Sequence, residues 1–308
     1  MMNRLFLILG LILVCAGITK AQQKAMYSQY MFNGLALNPA YSATDEAVTA
    51  TALSRHQWVG FIGAPKTQTF SIHSPIRESN TSIGGIVVRD QIGEVLSEKG
   101  AYFTVAQRIR VNETTQLAMG LNAGLSFGSA SFSDKYNESL NSVNDPVFQD
   151  QSNTMSSYGF GLLLFSESYY VGFSSPQFYY RDIGTRAART SETAFRPHYM
   201  LQGGFLVPLS DEFKLKPNFL VKYVNGSPLQ VDVNANFLIR DKVWLGASYR
   251  SLDSFEGIAQ LYVSPAIALG YSYDFVTTEL ARVQKGSHEI MIQFRFGIRD
   301  KDAPRCFF

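Results

Sequence analysis

Long stretches of the chain alternate between apolar residues and small or polar residues. Between positions 115 and 128, apolar side chains such as Leu117, Leu121 and Phe127 are each separated by one small or polar residue. The same two-residue period recurs in three further segments, at 229–237, 267–275 and 290–296. This period is typical of a β-strand whose two faces meet different surroundings. We therefore predict strands in these segments.

The length and content of these runs favour a membrane barrel. A tilted transmembrane strand needs about 9–11 residues, whereas strands of a secreted β-sandwich, the competing fold, average about 5–6. Asp232, Asn234 and Asn236 share one face of a predicted strand and cannot face lipid. We predict an all-β fold, a transmembrane antiparallel β-barrel of about fourteen strands, an even number as in other single-chain bacterial barrels.

Turn and loop signals separate the predicted strands. Short turns are predicted at Asn112-Glu113, Ser210-Asp211, Asn225-Gly226 and Arg240-Asp241. Two polar stretches, 131–152 and 182–193, are predicted long loops. Long loops of such barrels face outward and short turns face the periplasm, so strand counting places both loops on the outer side.

The N-terminal region predicts export. Arg4 precedes an apolar run from Leu5 to Ala16, which is too short for a membrane helix and is followed by small residues. We expect a signal peptide at 1–21. A lipoprotein anchored through Cys15 is the alternative, but Val14 stands where a small residue is preferred.

The rest of the chain divides into three parts. Residues 22–46 are too apolar for a loose tail, and we expect a lead-in or plug segment that folds against the periplasmic mouth or inside the lumen. The predicted barrel covers 47–298, and 299–308 form a tail. After cleavage only Cys306 remains, so no intramolecular disulfide can form.

Composition agrees with a barrel. Charged residues make up 17% and aromatic residues 13% of the chain, and the net charge is +2. This balance does not favour a nucleic-acid partner. The mean hydropathy of −0.03 is compatible with a membrane barrel, because wall and lumen residues alternate and their values average out.

No motif indicates catalysis. The four histidines do not have metal-ligand spacing: His56, His73, His198 and His288. The Gly-x-Ser-x-Gly spacing at 124–128 lies within a predicted strand and not at a strand-to-helix turn, so it does not indicate a nucleophile elbow. We predict no enzyme activity, no cofactor and no metal.

Polar residues on predicted inward faces allow two interpretations. Gln230, Asp232, Asn234 and Asn236 form either a ligand-binding ladder or ordinary lumen filling, which we favour. Ion pairs across the lumen are also expected, since buried charges need partners. The expected cations are Arg89, Arg108, Arg110, Lys222, Arg250 and Arg295. The expected anions are Asp90, Asp232, Asp274 and Glu289.

Several segments carry the motifs of one family. They lie at 27–33, 38–41, 55–68, 84–90, 170–176, 244–250 and 286–291. With these motifs, the chain resembles the PorP/SprF family of Bacteroidetes membrane proteins over essentially all of the expected mature chain. The tail 303–308 departs from the family's common Ser-Pro-Arg-aromatic ending but keeps a terminal aromatic residue.

The resemblance implies association with the type IX secretion system. Members similar to SprF are paired with a giant surface adhesin whose C-terminal domain is the export signal, and members similar to PorP have a periplasmic peptidoglycan-binding partner. The expected partners are thus outer-membrane lipid, a type IX cargo adhesin C-terminal domain and a peptidoglycan-binding protein, and the expected location is the outer membrane. A diffusion porin or hydrophobic-ligand transporter is the alternative.

One turn and the lead-in segment are candidates for a partner-docking surface. The candidate residues are Tyr30, Asn38, Pro39, Tyr41, Trp58, Phe61, Gly63 and Pro65. The glycines and the proline of 60–65 suit a tight turn. These residues either shape and anchor that turn in the membrane interface or dock a secretion partner together with the lead-in segment.

Overall fold

The computed structural model describes residues 26–77, 79–132, 150–183 and 196–297. The predicted signal peptide and the predicted tail lie outside these residues, as do positions 133–149 and 184–195 of the two predicted long loops. The predicted loop boundaries need a small correction. Gln151 and Ser152, predicted as loop, begin a strand, and Asp182, also predicted as loop, ends one.

Fifteen β-segments form a single antiparallel sheet among the described residues. They are β1 Val48–His56, β2 Lys66–Pro75, β3 Thr81–Ile92, β4 Leu96–Arg110, β5 Gln116–Ala130, β6 Gln151–Phe165, β7 Tyr169–Asp182, β8 His198–Phe205, β9 Val207–Pro208, β10 Phe213–Val224, β11 Gln230–Ile239, β12 Val243–Arg250, β13 Ser254–Ser264, β14 Ile267–Val276 and β15 Ser287–Phe296. The two-residue β9 pairs with β10 beyond the end of β8.

The sheet closes on itself. Neighbours along the chain pair from β1 to β8, β10 joins β8 to β11, and β15 pairs with β1 from Val48↔Phe296 to His56↔His288. Since β8 and β9 share one place in the ring, the result is a closed barrel of fourteen strands, as predicted. Closure satisfies the backbone hydrogen bonds that lipid cannot satisfy.

The alternation places apolar residues outside and small or polar residues inside. On β5, Leu121 is 68% exposed on the outer surface, whereas Ala118 is fully buried. On β11, Val233 and Phe237 face outward and Asn236 is buried in the lumen. The predicted strand faces are therefore confirmed.

The two ends of the barrel differ in their connections. The end where the chain enters β1 and leaves β15 has short turns, such as 240–242, where Arg240 and Asp241 both have positive φ as in a tight hairpin turn. At the opposite end, β5 ends at Ala130, β6 begins at Gln151, β7 ends at Asp182 and β8 begins at His198. Short turns of such barrels face the periplasm, so we call these the inner and outer ends.

Residues 26–46, which we call the plug, lie inside the lumen. The plug contains three short 3-10 turns, at Tyr30–Phe32, Gly34–Ala36 and Pro39–Ala43. Nearly every plug residue is buried; Glu46 is the exposed one. Within the described residues, no helix is long and apolar enough to cross a membrane.

The outward position of β5 side chains can be tested with a charge at mid-height. We expect Leu121→Lys to lower the free energy of unfolding by about 2–4 kcal/mol, because it places an ammonium group in hydrocarbon. The matched control Ser129→Lys lies on the same exposed face near the outer end and should cost about 0–1 kcal/mol. Urea unfolding in lipid vesicles measures both, and equal costs would contradict this membrane placement.

Candidate functional site: the lumen plug

The plug runs from the outer half of the lumen to its inner end. Ser28 lies beside Asp274, near the outer end of β14, and the Ser28 Oγ donates to Asp274 Oδ1 at 2.7 Å. At the other end of the plug, Arg295 Nη2 donates to Asp45 Oδ1 at 2.8 Å. Two residues after Glu46 the chain enters β1, which leads back toward the outer end. The plug and β1 therefore run in opposite directions.

A buried charge cluster holds the outer part of the plug. Arg55 on β1 reaches Asp274 at 2.5 Å and Glu289 at 3.3 Å, and all three side chains are at most 2% exposed. The Glu289 carboxylate also accepts the backbone N–H groups of Ser28 at 3.0 Å and Gln29 at 2.8 Å. The plug thus completes the hydrogen bonding of a carboxylate that belongs to the wall.

A second cluster lies on the neighbouring strands. Arg250 on β12 reaches Asp232 on β11 at 3.0 Å and Glu256 on β13 at 2.8 Å. The guanidinium also donates to the Tyr27 carbonyl at 3.4 Å. Removing one member of such a buried group typically costs about 3–5 kcal/mol because its partner stays charged and buried. The cluster therefore braces three wall strands and the start of the plug.

The expected lumen ion pairs are formed in part. Arg250 pairs with Asp232 as predicted, whereas Asp274 and Glu289 pair with Arg55, which was not among the expected cations. Arg295 pairs with Asp45 of the plug. Two expected cations do not reach the lumen. Arg89 lies on the exposed face of β3, and Arg110 donates to the carbonyls of its own turn.

The middle of the plug packs on an aromatic and cationic part of the wall. The Lys216 ammonium lies 5.8 Å from the ring centroids of Phe32 on the plug and of Tyr170 and Trp244 on the wall. A cation over an aromatic face contributes about 0.5–2 kcal/mol, most when water is excluded. These three rings and the cation therefore join the plug to β7, β10 and β12.

The inward polar ladder also contacts the plug. Asn234 Nδ2 donates to the Tyr30 hydroxyl at 2.7 Å, and Asn236 Nδ2 donates to Asn234 Oδ1 at 2.7 Å. Asn218 Nδ2 donates to the same Asn234 oxygen at 2.8 Å. In this arrangement the polar side chains of the ladder fill the space between the wall backbone and the plug.

Wall glycines form a cradle for the turn around Pro39. Asn38 caps this 3-10 turn by accepting from the Ala40 N–H at 2.9 Å, and its Nδ2 donates to the Leu162 carbonyl at 3.0 Å. A Cβ at Gly120 would overlap the Pro39–Ala40 backbone, and one at Gly161 would overlap the Asn38 side chain. The turn sits where it does because these wall positions lack side chains.

Burial, hydrogen bonds and nearby charge together set the pKa values of plug groups. Burial alone would raise the pKa of Asp45, but hydrogen bonds from Arg295 and Thr49 and the Arg295 charge outweigh it, leaving that pKa below its usual value. Burial raises the pKa of the Tyr27 and Tyr41 phenols above their ordinary value. Both phenols therefore stay protonated near neutral pH, while Asp45 stays charged.

The candidate docking residues fall into two separate groups. Tyr30, Asn38, Pro39 and Tyr41 are buried in the plug. The others belong to the β1–β2 loop at the outer end: Trp58, Phe61, Gly63 and Pro65. The structure does not bring the two groups onto one surface, so their common role in docking stays a prediction.

The outer loop has a defined shape. The Gly63 carbonyl accepts from the Gly93 N–H at 2.9 Å, and Gly63 has a φ of 76° that favours glycine. Val59 N–H donates to the Gly286 carbonyl at 2.8 Å. Phe61 is nevertheless 47% exposed. The loop is thus anchored to its neighbours and still presents an aromatic side chain.

Several plug-binding residues were not recognised from sequence, notably Arg55, Lys216 and Trp244. Arg55 and Trp244 do belong to segments that carry the family motifs, and those motifs are the signal that could have found them.

The described ranges contain no group of three or more His, Cys, Asp or Glu residues arranged to hold a metal ion.

Comparison with known proteins gives a family and a fold. The family profile described as "Type IX secretion system membrane protein PorP/SprF" matches residues 19–294. The comparison with curated proteins returns no match. Among solved structures, the chain is similar to the CymD monoaromatic hydrocarbon channel, with 13% identity, a TM-score of 0.51 and coverage of 88% of this chain and 92% of that chain.

Two other outer-membrane proteins are more distant in structure. A Pseudomonas aeruginosa FadL homologue shows 12% identity, a TM-score of 0.44 and coverage of 87% of this chain and 94% of the other. The Acinetobacter baumannii outer membrane protein Omp33 shows 9% identity, a TM-score of 0.44 and coverage of 82% and 99%. At this identity the comparison with CymD establishes the barrel fold alone.

The glycine cradle predicts a specific way to displace the plug. We expect Gly120→Ala or Gly161→Ala to unseat residues 38–40, because the added methyl group overlaps the plug. In a chain lacking Cys306, a cysteine at Ser42, which is fully buried, should then react with a maleimide. Gly257→Ala is the matched control, since a Cβ there meets nothing within 4 Å. Equal reactivity in all variants would contradict the cradle.

The inner plug contact predicts a pH dependence. Because the folded-state pKa of Asp45 is lowered, its contact with Arg295 stabilises the fold above the unfolded pKa of about 3.9 and is lost as pH falls through the folded pKa. The stability difference between wild type and Asp45→Asn should be constant near neutral pH and shrink below about pH 4.

Denaturant titrations at stepped pH measure that difference. Glu46→Gln serves as the control, because Glu46 is 46% exposed and lies 3.5 Å from Arg108, and an exposed pair contributes about 0–1 kcal/mol. A difference for Asp45→Asn that grows in acid would show the opposite sign and reject this explanation.

Proposed function

The chain belongs to the PorP/SprF family of type IX secretion system membrane proteins, and from this premise we propose that it is a non-enzymatic outer-membrane partner of type IX export. In this role the barrel aids the export or surface retention of a large adhesin-like cargo. The proposed partner is the C-terminal domain of that cargo. A periplasmic peptidoglycan-binding protein would contact the inner turns.

The observation that carries this proposal is the filled lumen. A diffusion porin needs an aqueous path, whereas the plug occupies the lumen from Asp274 near the outer end to Asp45 at the inner end. Buried ion pairs, a cation enclosed by rings and a glycine cradle all fix the plug in place. Such a barrel is suited to presenting surfaces to partners.

The outer loop is the proposed contact for cargo. Its backbone is fixed by hydrogen bonds to Gly93 and Gly286, and Phe61 and Ile62 are exposed at its tip. Exposed aromatic and aliphatic side chains on a rigid backbone bind with little loss of conformational entropy. The plug residues of the candidate set would support the barrel from within.

Conductance separates this role from a pore. We expect the purified barrel to be silent in planar bilayers, and we expect Gly120→Leu, which displaces the plug, to give steady currents. Steady open-channel currents from the wild-type barrel would favour the porin alternative. Gly257→Leu, at a wall position with open space, should stay silent.

Experiments in cells test the export role directly. Deletion of the gene should reduce adhesin at the cell surface, and the wild-type chain should restore it. A photo-crosslinking residue at Phe61 should capture the cargo domain, whereas one at Ile76, an exposed residue of an inner turn, should not. Unchanged surface adhesin after deletion would reject the secretion role. Crosslinks from Phe61 to lipid or to the barrel alone would reject the loop as the docking site.

A further inference from the structure

A cavity lies between the plug and one side of the wall, toward the outer end. Its floor is formed by plug residues 35–37 and its sides by β3, β4, β7 and β8, and we call it the outer chamber. The empty space is about 930 Å³, including the part that joins open solvent. The outer chamber is thus a recess that joins the solvent and not a closed cavity.

The chamber is apolar at its floor and polar toward the outer end. Leu35 and Leu37 of the plug and Met200 of β8 supply apolar surface. Asp90 and Glu98 face each other directly on β3 and β4 near the outer end. Lys222 on β10 adds a charge of the opposite sign at a similar height. A ligand that fits this chamber has one apolar part and one polar part. A polar head that carries a positive and a negative charge is complementary to the carboxylates of Asp90 and Glu98 and to the ammonium group of Lys222.

The chamber touches the wall where the described pairing of β7 with β8 stops. β7 and β8 pair only from Tyr169↔Phe205 to Ser174↔Met200, although β7 continues to Asp182. Pro176 has no N–H to donate to a ladder. We call the β7–β8 contact at 174–177 the seam. No described residue pairs with β7 on this side beyond Ser174.

Aromatic rings cover the seam from the lipid side. Phe173 and Tyr199 stack with centroids 6.3 Å apart and an interplanar angle of 9°, and Phe178 packs edge-on against Tyr199 at 6.4 Å. On the chamber side, Pro176 and Met200 line the same place. At the seam, side chains separate the membrane from the chamber, and side chains can change rotamer. Elsewhere in the wall, hydrogen-bonded backbone separates the membrane from the lumen.

We propose that the outer chamber binds a zwitterionic single-chain amphiphile. The hydrocarbon chain lies against Leu35, Leu37 and Met200, and the head points toward Asp90, Glu98 and Lys222. The ligand enters from the membrane through the seam when the Tyr199 ring moves aside. This binding site is independent of the secretion role, so either proposal can fail while the other stands.

Titration of the purified full-length barrel with myristoyl lysophosphatidylcholine, read by native mass spectrometry from a non-ionic detergent, tests the site. One molecule should bind per barrel, and glycerophosphocholine, which has the same head and no chain, should not. Met200→Trp fills the chamber and should weaken binding at least about tenfold, or about 1.4 kcal/mol. Leu201→Trp is the control, because Leu201 is the next residue and points outward at 42% exposure.

Two further measurements keep the proposal testable. If Met200→Trp does not fold, Val88→Trp, on the β3 side of the chamber, replaces it. Tyr199→Ala should speed both association and release without changing affinity, whereas Tyr249→Ala, an outward ring on β12, should not. Absence of saturable binding, or equal weakening by Met200→Trp and Leu201→Trp, would overturn the site. Equal rates in the two tyrosine variants would overturn entry through the seam.

Discussion

Closure of the sheet is the constraint on which the rest of this structure depends. Hydrocarbon offers no hydrogen-bond partners, so an open edge inside the membrane is prohibitively costly and the first strand must pair with the last. The register of that pairing, Val48↔Phe296 through His56↔His288, places Arg55 opposite Glu289. The same contact brings Asp274 and the start of the plug within reach of the guanidinium. The outer charge cluster is therefore a direct consequence of closure.

A barrel of this size is too wide for its own wall side chains to fill. Wall side chains alone fill barrels of about eight strands, and wider barrels leave a channel or contain a plug. Here the plug supplies Tyr30, Met31 and Phe32 to a buried apolar cluster that includes Trp244 and Leu238 of the wall. Charged groups hold the plug near its two ends, and apolar packing holds its middle. The lumen thus resembles the core of a soluble protein with ion pairs at both ends.

Because the plug fills the lumen, the surfaces around the barrel are better suited to a function than a path through it. Family membership and the filled lumen together favour a barrel that presents contacts to partners in export. The rigid outer loop with Phe61 and the seam beside the outer chamber lie in the half of the barrel that faces outward. One would recognise protein and the other an amphiphile, and the two can act separately because different strands build them.

The sequence by itself determined the strand periodicity, the inward and outward faces and turns such as Arg240-Asp241, because these depend on neighbouring residues. It also led to the family through local motifs. Only the tertiary structure decided that the plug lies inside the lumen and that the candidate docking residues fall into two groups. It alone identified Arg55 as the partner of Asp274, which lies 219 positions away. Such pairings depend on strand register and closure, and alternation within one strand carries no information about which distant strand will lie across the lumen.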